Sequence, residues 1–414
     1  MRALQPVKGT HDILPEDMRR FRAVFDQARE IAARYGYREM ATPIFEFTEV
    51  FKRTLGDTSD VVTKEMYTFD TKGGEQVTLR PEATAGVARA FISGGLAQQL
   101  PLKFFFAGPM FRHERPQAGR QRQFHQIDIE LLGVAQPLGD VEIIAAGAAI
   151  LDGLGVRDKT TLELNTLGDP ESRKAYREAL VAYFRDHEAR LSEDSRMRLT
   201  RNPLRILDSK DEGDRALVAD APLFADYLNP ASVAFFDEVK AGLDALGIAY
   251  QLSPRLVRGL DYYTHTAFEF TTTALGAQGA VLAGGRYDYL IEQLGGPPTA
   301  GTGWAAGVER LVLLMAAELP ELRPLAVVPL GAEAEREALI LAERLRREGF
   351  TVELGFSGNM KKRLSRANKM KARAALILGE EELAKGSVTL RDLDSGEQEL
   401  LPRAALSERL ARFG

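Results

Sequence analysis

The sequence predicts two folded parts: an α+β N-terminal part that carries a helical insertion, and a small α/β C-terminal domain. The 414 residues exceed what one small core accommodates. A highly charged stretch of helical character, at about 169–230, interrupts an N-terminal part in which strand-like and helical segments alternate. Pro320 and Pro324 bracket a short linker, after which strands and helices alternate anew. We therefore predict one domain over 1–322 and a second over 323–414.

Composition narrows the class of protein and of chemistry. Hydrophobic residues make up 45% of the chain and charged residues 27%, as is usual for soluble globular proteins. No run of about 18 apolar residues occurs, and the N-terminus lacks an apolar signal core, so we expect a cytoplasmic protein without membrane segments. The absence of cysteine excludes disulfides, thiol catalysis and cysteine-ligated metal sites. The net charge of −5 argues neither for nor against a nucleic-acid partner.

The first predicted elements are an amphipathic helix and a strand that a proline interrupts. Residues 15–35 are predicted to be helical because apolar residues recur at helical spacing, namely Phe21, Val24, Phe25, Ala28, Ile31 and Ala32. Residues 37–45 are strand-like but contain Pro43, which is typical of an edge or interface strand. Strand character returns at 250–269, beyond the insertion, and continues to Trp304.

The C-terminal part has the pattern of a small domain with a mainly parallel sheet. Strands are predicted at 325–330, 350–354 and 374–379, and a helix with apolar spacing at 332–348. A basic helix is predicted between the second and third strands, at 361–373. A run of this kind is usually a solvated helix face, so by itself it is weak support for a nucleic-acid partner.

The segment 111–131 carries the strongest functional signal of the chain. Arginines surround a turn and lead into a strand, at Arg112, Arg115, Arg120 and Arg122. In the strand, one face is apolar and the other carries Phe124, Gln126, Asp128 and Glu130, while His125 points away from that polar face. A half-exposed surface strand would show the same alternation. Because the arginines lead to a face that ends in carboxylates, we predict a site for a polyphosphate beside a cationic small molecule.

Three further arginines lie in glycine-containing segments. Arg310 is predicted near a helix N-terminus, where the dipole disfavours a cation by about 0.3–1 kcal/mol, so it indicates an anionic or aromatic ligand. Arg258 precedes a glycine turn and offers the planar fork that matches phosphate or carboxylate. Before Arg286, paired glycines allow close backbone approach to a small group. Packing of small residues, or an Arg258–Asp261 surface pair, would explain these segments equally well when each is taken singly.

A further acidic residue, Glu82, follows Pro81 at a predicted helix start. Glu82 and Thr84 both fall in the first turn of that helix. A carboxylate in this position is favourable for the helix alone, so the pair by itself does not indicate a ligand. Taken together with the arginine segments, it favours one shared site.

The sequence lacks the motifs of several common nucleotide-binding and metal sites. The sequence contains no G-x-x-x-x-G-K-[ST] loop and no G-x-G-x-x-G turn that follows a strand. The five histidines show no metal-ligand spacing, so no metal site is predicted.

Across nearly its whole length the chain resembles the histidyl-tRNA synthetases, a family of class II aminoacyl-tRNA synthetases. The strand with Pro43 resembles class II motif 1, residues 111–130 resemble motif 2, and residues 301–311 resemble motif 3. Residues 256–264 and 283–288 match two signatures particular to the histidine-specific enzymes, which are much more specific than the general motifs. The resemblance implies a catalytic domain on a mostly antiparallel sheet, the class II fold, and a C-terminal domain that binds the tRNA anticodon.

The resemblance also implies an ATP site, formed by Arg112, Glu114, Arg120, Phe124 and Arg310. Arg112 and Arg258 would contact the α-phosphate, with Arg258 as the catalytic arginine peculiar to this specificity. Arg120 would reach the terminal phosphates, and Glu114 the adenine amino group. The adenine would lie between Phe124 and Arg310. We expect Mg²⁺ to accompany the ATP phosphates.

The histidine site implied by the resemblance comprises Glu82, Thr84, Gln126, Glu130, Arg258, Tyr263 and Tyr287. The α-amino group would be held by Glu82, Thr84 and Gln126. Gln126 is counted with Arg112 and Arg258 among the catalytic residues. The imidazole would be recognised by Glu130 and Tyr263, with Tyr287 lining the pocket.

The partners implied are histidine, ATP and histidine tRNA, with a homodimer formed through motif 1. The basic helix then becomes a candidate tRNA contact, through Lys361, Lys362, Arg363 and Lys369. Two departures from the family pattern are Ala83, where a glycine is common, and Gln121, where an aromatic residue is common.

Two alternative functions stay open at this point. One is a synthetase-like regulatory subunit of ATP phosphoribosyltransferase, which binds histidine without charging tRNA. The other is a nucleic-acid-binding module without catalysis, which would leave the histidine-specific signatures unexplained. The enzyme is favoured because the chain keeps Arg112, Arg258 and Arg310 together with the C-terminal domain.

Overall fold

The computed structural model describes residues 4–411, except 57, 58, 60, 118, 259, 261, 277, 278, 317 and 318. The chain divides into two units, Met1–Ala317 and Glu318–Gly414, and each is described by itself. Within the described ranges, no helix combines the length and the apolar character needed to span a membrane.

The first unit is built on a large sheet that a helical insertion interrupts. Before the insertion its elements are α1 (Pro15–Arg34), β1 (Arg38–Met40), β2 (Phe45–Phe47), α2 (Thr48–Leu55), β3 (Tyr67–Asp70), β4 (Gln76–Leu79), α3 (Thr84–Ser93), β5 (Leu102–Phe111), β6 (Gln123–Leu132), α4 (Pro137–Gly153) and β7 (Thr161–Thr166). The insertion and the remainder comprise α5 (Pro170–Asp186), α6 (Glu193–Arg201), α7 (Glu212–Ala219), α8 (Pro230–Ala245), β8 (Gln251–Leu252), β9 (Thr264–Thr272), β10 (Gly279–Arg286), α9 (Leu290–Gln293), β11 (Gly301–Gly307) and α10 (Val308–Leu314).

The large sheet is antiparallel at its centre. Its eight strands follow the order β1-β5-β6-β11-β10-β9-β7-β8. The central pairs from β5 to β7 are antiparallel, and only the edge pairs β1/β5 and β7/β8 are parallel among the described strands. The predicted fold class, a mostly antiparallel catalytic sheet with a helical insertion, is therefore confirmed.

Helices α1, α4, α8 and α10 cover one face of this sheet and bury the main core. Helix α1 contributes the apolar face that its spacing predicted, for example Val24 and Ala28, which are fully buried. The odd positions of β6 point to the same side, and Ile127 and Ile129 are fully buried there. The even positions of β6 consequently face the opposite side of the sheet.

The proline-interrupted segment forms two strands in different sheets. β1 pairs with β5 at an edge of the large sheet, whereas β2 joins a three-stranded sheet of order β2-β4-β3. Residues 41–44, which include Pro43, separate the two strands. Proline lacks the N–H that a continuous strand would donate, so the chain leaves the first sheet here.

The insertion has its own core and well-capped helices. Side chains of Asp169, Ser192 and Asp211 accept hydrogen bonds from the first-turn backbone N–H groups of α5, α6 and α7. Apolar side chains of these helices pack together with Phe224, which follows α7, including Tyr176, Leu180, Phe184, Leu199 and Leu217. The high charge of this segment is therefore compatible with a folded unit.

The second unit is a small α/β domain. Its elements are β12 (Leu325–Pro329), α11 (Ala332–Arg347), β13 (Val352–Leu354), α12 (Met360–Lys369), β14 (Ala374–Leu378), α13 (Glu380–Ala384), β15 (Ser387–Asp392), β16 (Gln398–Pro402) and α14 (Leu406–Leu410). The strand order is β13-β12-β14-β15-β16, with the first three strands parallel as predicted. β15 and β16, which the sequence analysis did not predict, add an antiparallel hairpin to one side.

Candidate active site

A cavity of about 360 Å³ lies on the sheet face opposite to the main helical layer. Strands β6, β10 and β11 form its floor, and its walls include the start of α10 together with Arg258, Leu260, Tyr262 and Tyr263. It collects most of the residues that the sequence analysis selected: Glu82, Thr84, Arg112, Glu114, Arg120, Phe124, Gln126, Arg258, Tyr263 and Arg310. Glu130 and Tyr287 lie behind this wall, connected to it through Thr84.

Strand β6 confirms the predicted separation of its two faces. Phe124, Gln126 and Asp128 line the cavity. His125 points to the other side, where its ring packs edge-on against Phe21 at 5.5 Å. Its backbone N–H donates to the Glu309 carboxylate at 2.9 Å, and its Nδ1 lies 3.0 Å from the same group. The strand is thus tied to the first turn of α10, where the next residue is Arg310.

Two arginines and one carboxylate form the outer wall. The Nε of Arg112 donates to the Pro81 carbonyl at 2.9 Å, and its guanidinium lies 5.4 Å from the centre of the Phe124 ring. The carboxylate of Glu114 lies 3.8 Å from Arg112 and 3.4 Å from Arg120. These long contacts leave most donors of both guanidinium groups available to an anion.

Arg310 is the third residue of α10, and its side chain enters the cavity. Its Nε is buried and has no hydrogen-bond partner among the residues that the structure describes. Burial and the nearby Arg120 lower the pKa of Arg310. A Cβ added at Gly279 would lie 2.2 Å from Nη2 of Arg310, so only glycine leaves room for this guanidinium.

Replacing Gly279 by alanine is therefore expected to displace the Arg310 guanidinium. Because the colliding atoms are at the end of a flexible side chain, the fold should persist, and the melting temperature should change by no more than about 2–4 °C. The resemblance implies that Arg310 contacts ATP, and the loss of that charged contact is then expected to raise the KM for ATP by about tenfold or more. Gly73→Ala is the matched control, since a Cβ there would meet its nearest atom only at 3.6 Å. An unchanged KM for ATP in Gly279→Ala would contradict the position assigned to Arg310.

Arg258 is held by an acidic residue that the sequence analysis missed. Its Nη1 donates to the Glu269 carboxylate, and its guanidinium lies 5.1 Å from the centre of the Tyr263 ring. Burial opposes the charge of Arg258, but Tyr263 and Glu269 more than offset this and raise its pKa. Asp261, the alternative partner considered from sequence, lies outside the described residues. The Phe268-Glu269-Phe270 alternation in β9 is the signal that would have found Glu269.

A hydrogen-bonded acidic pocket lies at the other side of the cavity. Glu82 accepts a bond from the backbone N–H of Ala85 at 2.8 Å. Thr84 donates to Glu130 at 2.5 Å, and the Tyr287 hydroxyl donates to the same carboxylate. Burial raises the pKa of Glu82 and raises that of Glu130 to about 8. The pocket is thus arranged to receive a cation or a hydrogen-bond donor.

The raised pKa of Glu130 predicts a pH-dependent stability. Its pKa is about 8 in the folded protein and about 4.5 in a free chain. Its favourable contribution is therefore complete below about 4.5 and is lost as the pH rises through 8. Between about pH 5 and pH 8, the unfolding free energy of the wild type should fall relative to Glu130→Gln, by up to about 1.4 kcal/mol per unit. Urea unfolding without ligands measures this difference.

A control variant with the opposite sign is available. Arg29 lowers the pKa of Glu39 through hydrogen bonds and charge. Glu39→Gln should therefore lose stability relative to the wild type as the pH rises toward 4.5, the ordinary pKa of the group, and the difference should stay constant above it. A Glu130→Gln difference that does not change with pH would contradict the raised pKa.

The glycines around the pocket make room for neighbouring protein groups. A Cβ at Gly303 would lie 1.9 Å from Oε2 of Glu130, and one at Gly301 would lie 2.2 Å from the Tyr287 ring. Gly284 and Gly285, expected from sequence to admit a small group, instead approach the carbonyls of Gly303 and Thr266 in adjacent strands. This expectation was wrong because close strand-to-strand approach also requires glycine.

Arg286, in the same segment, is fully buried away from the cavity. Its guanidinium pairs with Asp140 at 3.0 Å and with Asp288 at 3.0 Å. It also donates to the carbonyl groups of Val134 and Gln136. This arginine therefore has a structural role at the end of β10, next to Tyr287.

Comparison with known proteins agrees with this geometry. Residues 9–311 match the family model described as histidyl-tRNA synthetase. The chain is 64% identical to a histidine–tRNA ligase of Rhodospirillum rubrum over the full length of both proteins. It is 56% identical to one of Gluconacetobacter diazotrophicus, over 99% of each chain.

The chain belongs to the histidyl-tRNA synthetase family. A crystal structure of apo S. aureus histidyl-tRNA synthetase superposes with a TM-score of 0.84, at 36% identity, covering 98% of this chain and 99% of that one. The second unit matches the anticodon-binding domain family over residues 325–412.

The basic helix of the second unit is α12. Its cationic side chains differ in exposure. Lys361, Lys362 and Lys369 are exposed. Arg363 is buried, and it donates to the Gly358 and Pro329 carbonyls and to Glu335. The inclusion of Arg363 among the tRNA contacts was therefore wrong, because its donors are used within the domain.

The described part of the chain contains no cluster of acidic residues that forms a metal site. No group of three or more histidine, aspartate or glutamate side chains there could hold a metal ion. Glu269, the carboxylate nearest to Arg258, is engaged by that arginine.

Proposed function

We propose that this protein is a class II histidine–tRNA ligase that activates histidine with ATP and transfers it to the 3′ end of histidine tRNA. The observation that carries the proposal is a single cavity with Arg112, Arg120, Arg258 and Arg310 on its walls and a buried acidic pocket beside them. Guanidinium groups suit a polyphosphate, and the acidic pocket suits the amino group and imidazole of histidine.

ATP is proposed to lie along the outer wall. Its adenine lies between Phe124 and Arg310, and Glu114 accepts a hydrogen bond from the adenine amino group. Arg120 contacts the terminal phosphates, while Arg112 and Arg258 contact the α-phosphate. The support is that these side chains line the same cavity and that several of their N–H donors are free of tight protein contacts.

Histidine is proposed to bind at the acidic side. Glu82, Thr84 and Gln126 hold its α-amino group, and Oε1 of Gln126 is buried without a partner among the described residues. Glu130 and Tyr263 recognise the imidazole, with Tyr287 fixing Glu130 from behind. Buried polar groups of this kind reject amino acids that would leave them unpaired.

The first chemical step joins the two substrates. A carboxylate oxygen of histidine forms a bond to the α-phosphorus of ATP, the bond from that phosphorus to the β-phosphate oxygen breaks, and pyrophosphate leaves. Negative charge grows on the phosphoryl oxygens, and fixed guanidinium groups of Arg112 and Arg258 stabilise it without reorganising. Alignment of the two substrates supplies most of the remaining acceleration. Mg²⁺ bound to ATP would add charge stabilisation.

The second step transfers the histidyl group to tRNA. A ribose hydroxyl at the tRNA 3′ end attacks the acyl carbon, and AMP leaves. We propose residues 1–322 as the catalytic domain and 323–414 as the anticodon-binding domain. In the latter, Lys361, Lys362 and Lys369 are exposed cations suited to phosphate attraction.

A homodimer and a cytoplasmic location complete the proposal. The three-stranded sheet presents exposed aromatic residues, with Phe45 at 56%, Phe47 at 57% and Phe69 at 48% exposure. Exposed apolar residues on neighbouring strands are typical of protein interfaces. Strand β2 of this sheet begins at Phe45, the last residue of the segment that resembles motif 1, which supports a dimer contact there.

Histidine-dependent exchange of labelled pyrophosphate into ATP tests the first step, and charging of histidine tRNA tests the second. The ligase should show both activities. A regulatory subunit of ATP phosphoribosyltransferase would bind histidine without exchange, and a nucleic-acid-binding module would show neither histidine binding nor exchange. Folded wild-type protein without exchange would therefore exclude the ligase.

A further inference from the structure

One carboxylate of the cavity has no assigned role. Glu82, Asp128 and Glu130 are all buried, with 5%, 1% and 1% exposure. Glu82 accepts a backbone hydrogen bond, and Glu130 accepts bonds from Thr84 and Tyr287. Asp128 lines the cavity, but its Oδ2 is buried and accepts no hydrogen bond from any described residue.

The cations nearest to Asp128 are engaged elsewhere. Arg80 donates to the carbonyls of Thr42 and Pro109, at 2.8 and 2.9 Å. Arg112 donates to the Pro81 carbonyl. A buried carboxylate without a partner is costly, and Glu130 and Glu82 add repulsion. Burial and these two carboxylates accordingly raise the pKa of Asp128 well above its ordinary value.

The neighbour of Asp128 on the same face of β6 has the same property. Oε1 of Gln126 is also buried and also lacks a donor within the described ranges. Asp128 and Gln126 both line the cavity, and each therefore has an acceptor oxygen that a donor group of a ligand can reach. Of the two substrates proposed, histidine offers a compact cationic donor, its ammonium group, which has three N–H bonds.

We infer that Asp128 is a substrate-binding residue whose carboxylate pairs with the α-ammonium group of histidine, forming with Glu82 and Gln126 a set of three acceptors. The inference rests on the proposed function and extends its histidine site. Glu130 already receives two hydrogen bonds and is left for the imidazole. A positive charge bound at Asp128 removes the unfavourable burial of an isolated carboxylate.

Three ligands separate the groups that Asp128 could contact. Histidinol keeps the ammonium and imidazole groups but lacks the carboxylate, whereas 3-(imidazol-4-yl)propionate keeps the imidazole and carboxylate but lacks the ammonium. Calorimetry on the wild type and on Asp128→Asn measures each affinity. Histidine and histidinol should bind the variant at least about tenfold more weakly, and the ammonium-free analogue should bind both proteins within about twofold. Unchanged histidinol affinity, or an equal loss for the analogue, would overturn the inference.

Thermal unfolding separates a binding role from a structural one. An amide of the same size removes the repulsion, so the unliganded variant should melt at the same or a higher temperature, with a smaller stabilisation by histidine. A lower melting temperature of the unliganded variant would indicate a structural role and count against the inference. Failure of the wild type in the exchange assay would count against the proposed function, whereas unaltered histidinol binding by the variant counts against Asp128 alone.

Discussion

Arg258→Ala is expected to reduce the rate of histidine-dependent pyrophosphate exchange by at least about 100-fold, the scale of losing one transition-state donor. Arg258 lies over Tyr263 and is oriented by Glu269, so its guanidinium is fixed before substrates arrive. A donor that is already in position stabilises developing charge at no cost of reorganisation. Steady-state exchange kinetics, with ATP and histidine varied separately, measure the effect.

Two controls distinguish lost chemistry from lost structure. Arg258→Lys keeps the charge but not the planar fork, and it should recover only part of the rate. Arg258→Ala leaves Glu269 without its partner, so the double variant Arg258→Ala/Glu269→Gln removes the stranded carboxylate and should be equally inactive but more stable. Near-normal exchange in Arg258→Ala would refute the role assigned to this residue.

Removing the residues after Pro324 is expected to separate the two steps of the reaction. Every residue lining the cavity belongs to the first unit, so exchange should persist within several-fold. Charging of histidine tRNA should fall by at least about 100-fold, because phosphate contacts and anticodon recognition are lost together. Parallel assays of exchange and charging on the truncated and full-length proteins measure the separation.

Substitution of the exposed lysines of α12 also tests whether charging and exchange can be separated, with a smaller expected loss of charging. Replacing Lys361, Lys362 and Lys369 by alanine should weaken charging and reduce its dependence on salt, while exchange stays unchanged. Equal losses of exchange and charging after truncation would show that the second unit supports the adenylate site, contrary to this proposal.

Local periodicity explains which site residues could be predicted. Gln126 and Glu130 were placed on one face because strand side chains alternate whatever the rest of the fold does. The same rule placed His125 on the opposite face. The hydrogen bond from His125 to Glu309 could not be predicted from the sequence, because it depends on the pairing of β6 with β11 and on the position of α10.

Contacts between separate structural elements limited the remaining predictions. Arg258 and Glu269 meet because β9 lies beside the segment that carries Arg258, and Arg286 meets Asp140 across 146 residues of chain. The alternation in β9 marks Glu269 as a candidate residue, but no local pattern specifies which arginine a given carboxylate meets. Arg363 was different, because it stands four residues before Ala367 on the buried face of α12, and helical spacing contained that information.

The two-faced strand β6 restricts how this protein can vary in length. Adding or removing one residue between Phe124 and Glu130 would rotate every following side chain by half a turn, driving polar groups into the apolar layer and isoleucines into the catalytic chamber. Only point substitutions are compatible with this stretch. Insertions and deletions are compatible instead with positions such as the junctions of the helical insertion, because its helices pack mainly on one another.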